Sequence, residues 1–216
     1  MSENNEPEPV WDEYDWERFL QQQDRKTELY MDLLEKYIDH PERDQIIAQE
    51  MGWSHFMQPG EPDPMELSLQ EEDEQEEEFA EEQEGEEVAE SFELHPLYQA
   101  SFALTVWLDQ LLEEVGDVEN LPCAVKLATN CAVTSAKLAA ALSDDDVDEI
   151  GMTIAYLKRA LKAITQAIDA SLQFGQEAQL DGKKRVELHY RLFEVRDGII
   201  LLMGEFRGEW RRRFGN

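Results

Sequence analysis

No lysine or arginine occurs between Asp44 and Val125, a span of 82 residues that holds 24 aspartates and glutamates. A surface of this sign repels phosphate backbones and anionic headgroups at long range, which argues against direct binding to nucleic acid or to a membrane. Long apolar runs are missing too. The longest, Ile199 to Met203, is a fraction of the roughly 20 residues that a bilayer-spanning helix needs. Residues 1–11, MSENNEPEPVW, contain neither a basic n-region nor an apolar h-region, so a cytoplasmic location is expected. Cysteine is scarce, with only Cys123 and Cys131. On a single helix their spacing places them about 12 Å apart along the axis, beyond the roughly 7 Å limit for a bridge. Two free, partly buried thiols in a reducing compartment are expected.

The residue patterns that build reaction centres are also absent. The histidines are His40, His55, His95 and His189, and the residues three before them are Tyr37, Gly52, Phe92 and Val186. None is a carboxylate, so the Glu-x-x-His pairs of di-iron bundles do not occur. There is no CxxC pair and no histidine-rich tract for zinc or haem. The acidic tract lacks the glycine-punctuated loop of a specific calcium site. No G-x-S-x-G, P-loop or G-x-G-x-x-G stretch is present. Gly198, Gly204 and Gly208 fall inside a helical pattern, where close helix packing is their expected role. These absences predict a protein without metal, cofactor or catalytic residue.

What is present is strongly asymmetric in charge. Residues 1–43 carry a net −8, residues 44–125 a net −24 and residues 126–216 a net +1, within a total of −31 over 216 residues. Residues 66–93 hold 15 acids in 28 positions. Like charges at that density repel, and too little apolar area is available to offset the entropy of ordering the backbone. The expected organisation is a disordered tail (1–10), an N-terminal helical segment (11–57), a disordered acidic linker rich in Pro and Glu (58–94) and a helical domain (95–216).

The helical segment begins with an amphipathic pattern from Tyr14 to Ile38. Trp16, Phe19, Leu20, Tyr30, Leu33, Leu34, Tyr37 and Ile38 lie on one side of it. Asp39-His40-Pro41-Glu42 then predicts a helix restart capped by Asp39, running to Met51 and stopped by Gly52.

Four helices are predicted after the linker. His95-Pro96 opens the first, with Leu97, Ser101, Leu104, Leu108, Leu111 and Val115 inward and Gly116 as its stop. The second runs from Asn120-Leu121-Pro122 to Leu142 with mostly small inward residues (Ala124, Ala128, Cys131, Ser135), which let a neighbour approach closely. Ser143 and Asp146 predict a capping box for the third, whose Val147, Ile150, Ile154, Leu157, Leu161, Ile164 and Ile168 keep heptad spacing up to a stop at Phe174-Gly175. The fourth starts near Asp181, carries Leu188, Leu192, Val195, Ile199, Leu202, Phe206 and Trp210 inward, and ends on Arg211, Arg212 and Arg213. Amphipathic helices joined by short loops predict an all-α fold: a C-terminal antiparallel up-and-down four-helix bundle, preceded by a helical pair on the acidic linker. Ile199 to Met203 are apolar around nearly the whole circumference of the fourth helix. Burial on all sides is therefore expected, either under the N-terminal helices or in a homodimer formed through this helix.

Around His189, the residues Lys184, Arg185 and Tyr190 resemble the motif of the HEPN superfamily of helical-bundle ribonucleases, an Arg followed after four to six residues by a His. Here three residues separate Arg185 from His189, and lysine lacks arginine's planar fork. The resemblance implies a nucleotide-binding protein or ribonuclease using His189. A solvated helix carrying one structural histidine is the competing reading.

Three features suit binding. Trp11, Tyr14, Trp16 and Phe19, set among acids, read either as a helix that docks in a partner's groove or as one that packs on its own bundle. The acidic linker is a solvated spacer, a competitor for a basic surface, or a decoy for a nucleic-acid-binding protein. Arg211, Arg212 and Arg213 complement the helix dipole or receive the linker. The leading functional expectation is a non-enzymatic adaptor that binds a basic protein partner through the aromatic helix, the linker, or both.

Overall fold

The computed structural model describes residues 10–53, 91–116, 120–143 and 149–215, and every regular element among them is helical. Six α-helices are formed by these residues: α1 (Glu13–Tyr37), α2 (Arg43–Glu50), α3 (Pro96–Val115), α4 (Pro122–Leu142), α5 (Ile150–Glu177) and α6 (Gly182–Phe214), with a 3₁₀ turn at Ser91–Leu94. Helices α3 to α6 make the expected up-and-down bundle. Each packs on its successor, and α3 closes the ring against α6. None of the described helices is long and apolar enough to cross a membrane. Residues 1–9, 54–57 and 58–90 of the predicted tail, helical segment and linker, together with His55, Asp144 to Asp146 and Val147, lie outside the described residues.

The predicted inward stripes meet in one core. Leu108, Leu127, Leu138, Leu157, Ile164 and Leu192 are fully buried. Helix α5 carries more buried residues than any other described helix. Ala160 and Ala167 are buried beside its larger apolar residues, and Ala124 and Cys131 are buried on α4. Small side chains on both helices allow the extensive contact between them. Buried hydroxyls find partners within and between helices: Ser101 and Ser135 share a 2.7 Å hydrogen bond across α3 and α4, and Thr134 donates to the Asn130 carbonyl at 2.7 Å. Both cysteines are free and buried. Burial pushes the Cys131 thiol up to about 12. Burial, with the Glu177 carboxylate accepting from the sulfur at 3.3 Å, raises Cys123 as well.

Several helix ends differ from the sequence expectation. Ser91–Leu94, placed in the linker by sequence, instead forms the 3₁₀ turn, with the Phe92 ring edge-on to Tyr98 at 4.9 Å. Aromatic contact outweighs the acidity of its neighbours there. His95 opens α3 by accepting the Leu97 N–H on Nδ1, and Gly116 closes it with φ 64°. Ser143 does not cap α5. Its hydroxyl donates back to the Ala139 carbonyl at the end of α4, and α5 begins only at Ile150.

Phe174-Gly175 is not a stop either. Both residues are buried inside α5, which runs on to Glu177. The chain leaves through a Schellman arrangement in which Leu180 N–H reaches the Gly175 carbonyl and Gln179 N–H the Gln176 carbonyl, with Gln179 at φ 51°. A side chain in the left-handed region is strained, so Gln179→Gly should stabilise the bundle by about 1 kcal/mol, read as a rise in the midpoint of chemical unfolding. Asp181, at the expected start of the fourth helix, caps α6, accepting the Lys183 and Lys184 N–H groups at 2.8 and 2.9 Å.

Residues 18–53 form a separate small unit, while residues 10–17 group with the bundle. In the small unit Leu33, Ile47 and Ala48 are buried and the Tyr30 and Trp53 rings lie 5.9 Å apart. Ile38, assigned to the apolar stripe, is exposed because α1 ends one residue earlier. Asp39 does not cap α2. His40 Nδ1 accepts the Glu42 N–H instead, and α2 starts at Arg43 beyond Pro41.

Candidate functional site

The most elaborated surface of the bundle is the end formed by the start of α5 and the close of α6, where residues 10–17 are clasped. Asp12 begins the clasp with a capping box: its Oδ1 accepts the Tyr14 and Asp15 N–H groups at 2.8 and 2.9 Å, and Asp15 Oδ2 accepts Asp12 N–H at 3.2 Å. That fixes the first turn of α1 and the direction of its acids. Glu13 takes both arms of Arg207, at 2.8 and 2.9 Å, and lies 3.8 Å from Lys158 Nζ. Glu17 accepts from Arg159 Nε at 3.2 Å. Lys158 also stands over the Tyr14 ring, 4.5 Å from its centroid.

The backbone comes equally close. Gly151, in the first turn of α5, faces the Trp11 carbonyl and the Trp16 ring with no room for a side chain. Trp11 and Trp16 pack edge to face at 5.0 Å. Beside them an open cavity of about 460 Å³ is lined by Asp12, Glu13, Tyr14, Ile154, Arg207, Trp210 and Arg211. The Trp210 Nε1 is buried without a hydrogen-bond partner.

Burial pushes the Glu13 carboxyl up, but the Arg207 hydrogen bonds and the charges of Arg207 and Lys158 outweigh it, so the net shift is downward. A carboxylate held low contributes stability above its ordinary value, near pH 4.3, and loses it as pH falls through the lowered value. The clasp should therefore open on acidification. Tryptophan emission is the measurement, since Trp11, Trp16 and Trp210 of the chain's five tryptophans lie here. A red shift below pH 4.3 is expected, and Arg207→Ala should shift the emission already at neutral pH.

The residues singled out by sequence are distributed as follows. Trp11, Tyr14 and Trp16 belong to the clasp, and Arg211 shares the cavity with Tyr14. Phe19 belongs to the small unit and is exposed. Arg212 and Arg213 pair with Glu209 on their own helix. Sequence reading missed the acids Glu13 and Glu17 as anchors, because acids beside aromatics ordinarily face water. It also missed Gly151, since a lone glycine near a helix start does not reveal what approaches it.

The elements of the HEPN resemblance do not converge. Both Arg185 hydrogen bonds come from Nη2, to the Gly175 and Leu180 carbonyls at 3.0 and 3.1 Å, closing the end of α5. Lys184 pairs with Glu114. His189 is half-buried with Nε2 unpartnered, its ring 6.5 Å from Phe193. Among the described residues no group of three or more His, Cys, Asp or Glu could hold a metal. No protein-family model, curated protein or solved structure matches this chain.

Proposed function

We propose that this protein is a non-enzymatic adaptor that presents the aromatic start of α1 to a protein partner. One observation carries the reading: the polarity of the segment is inverted. Glu13 and Glu17 are directed to the bundle's cations, while Trp11 and Tyr14 are 42 % and 64 % exposed. An ordinary surface helix buries its aromatics and solvates its acids. Leaving two large rings partly exposed while the acids beside them are anchored suits an interface, whose energy is concentrated in aromatic residues. The bundle then serves as a rigid mount, and the acidic linker favours partners with a basic surface.

The test uses the full-length chain immobilised in native lysate. A Trp11→Ala, Tyr14→Ala double variant should lose the captured protein, whereas His189→Ala should retain it. Capture that survives the double variant and disappears on deleting residues 66–93 would favour the acidic decoy instead. Ribonuclease activity that is lost in His189→Ala would replace the adaptor reading altogether.

A further inference from the structure

Residues 11–17 sit on the bundle as a bound peptide sits on a receptor, and the surface beneath them is charged opposite to the rest of the chain. Lys158 and Arg159 on α5, with Arg207 and Arg211 on α6, bring four cations to one end of the bundle in a protein of net charge −31. Glu13 answers Arg207 and Lys158, and Glu17 answers Arg159, with side chains only 11 % and 23 % exposed. Gly151 admits the Trp11 carbonyl where any side chain would bar it, and Lys158 stands over the Tyr14 ring. The fit is incomplete. The cavity beside the segment has Arg211 on its wall. Arg211 donates Nε to the Arg207 carbonyl and enters no salt bridge among the described residues.

We infer that this end of the bundle is a receptor for an acidic, aromatic segment of a partner protein, and that residues 11–17 occupy it in the partner's absence. The pattern it reads begins with a residue whose carbonyl passes Gly151. A carboxylate for Arg207 follows two positions on, an aromatic ring for Lys158 comes next, and a second carboxylate for Arg159 lies one helical turn beyond the first. A partner segment that adds a carboxylate beside Arg211 makes a contact that residues 11–17 do not. The resident segment competes from the same chain at high local concentration, so the partner's apparent affinity scales with the fraction of chains whose clasp is open. A second copy is the weaker occupant. Exchanging residues 11–17 between two chains only repeats the contacts of the closed ones, leaves Arg211 unanswered in both, and sacrifices translational freedom. The inference is independent of the outward sides of Trp11 and Tyr14, since it concerns the surface that the segment covers.

The test is fluorescence anisotropy of a labelled peptide with the sequence of residues 10–17, VWDEYDWE, titrated with the full-length chain. Glu13→Lys with Glu17→Lys turns both anchors into repelling charges, which opens the clasp and leaves the receptor intact. The peptide should bind this variant about tenfold more tightly than the wild type. Gly151→Ala opens the clasp from the bundle side but bars the peptide's carbonyl too, so it should bind the peptide no better than the wild type does. A scrambled peptide of the same composition, and therefore the same charge, should bind the double lysine variant more weakly by a similar factor. Both variants should keep the main thermal transition. The proposal is overturned by a double lysine variant that gains no affinity, by Gly151→Ala binding as tightly as that variant, or by equal binding of the scrambled peptide. A wild-type dimer in sedimentation velocity that the peptide dissociates would also overturn it, because the occupant would then be a second copy.

Discussion

Phe174→Ala should destabilise the bundle by about 3–5 kcal/mol, the largest loss expected from any single truncation in this chain. The ring is fully buried and heads the largest enclosed side chains. It sits on α5, the helix that packs against both α4 and α6. Removing it forfeits the transfer free energy of the ring and leaves a void that two packed neighbours cannot close at once. In thermal unfolding the midpoint should fall by roughly 10–20 °C. Leu172→Ala, two residues away on the same helix but 52 % exposed, should change stability by no more than about 0.5 kcal/mol. Equal effects at the two positions would mean that α5 is not seated as described.

Gly151→Ala should release the clasp and leave the bundle intact. A Cβ at this position would fall inside the van der Waals envelope of the Trp11 carbonyl oxygen, 2.9 Å from Trp16 Cδ1 and 3.1 Å from the Asp12 carbonyl carbon. Two of these contacts are with backbone, which cannot swing aside as a flexible side chain does. Residues 11–12 must therefore move, carrying Glu13 away from Arg207. Inside α5 itself alanine is the better helix former, by about 1 kcal/mol. The two effects separate in experiment: chymotryptic cleavage at Trp11, Tyr14 and Trp16 should accelerate more than tenfold, while the main thermal transition holds or rises. A bundle that loses stability together with its clasp would show that residues 10–17 belong to the core.

The helical class, the four bundle helices and most of their buried residues follow from the sequence alone. Leu104, Leu108, Leu188 and Leu192 are buried where the three-and-four spacing places them, because burying an apolar stripe is favourable whatever partner covers it. Starts and stops with a local chemical cause were equally legible, as at His95-Pro96, Gly116 and Asp181. The end of α5 was not. A buried glycine under the Arg185 side chain reads in sequence as a terminator, and only the neighbouring helix supplies the packing and the guanidinium that keep it helical.

The candidate site lay further from view for the same reason. Trp11, Tyr14 and Trp16 announce contact by their chemistry, but the direction each faces depends on Arg207, nearly 200 residues along the chain, and on a glycine that admits the backbone. Local periodicity dictates which side chains leave water. The choice of which surface receives them, and which acids are spent on anchoring rather than solvated, belongs to the tertiary structure, since it rests on charges and clearances that come together only when distant segments meet.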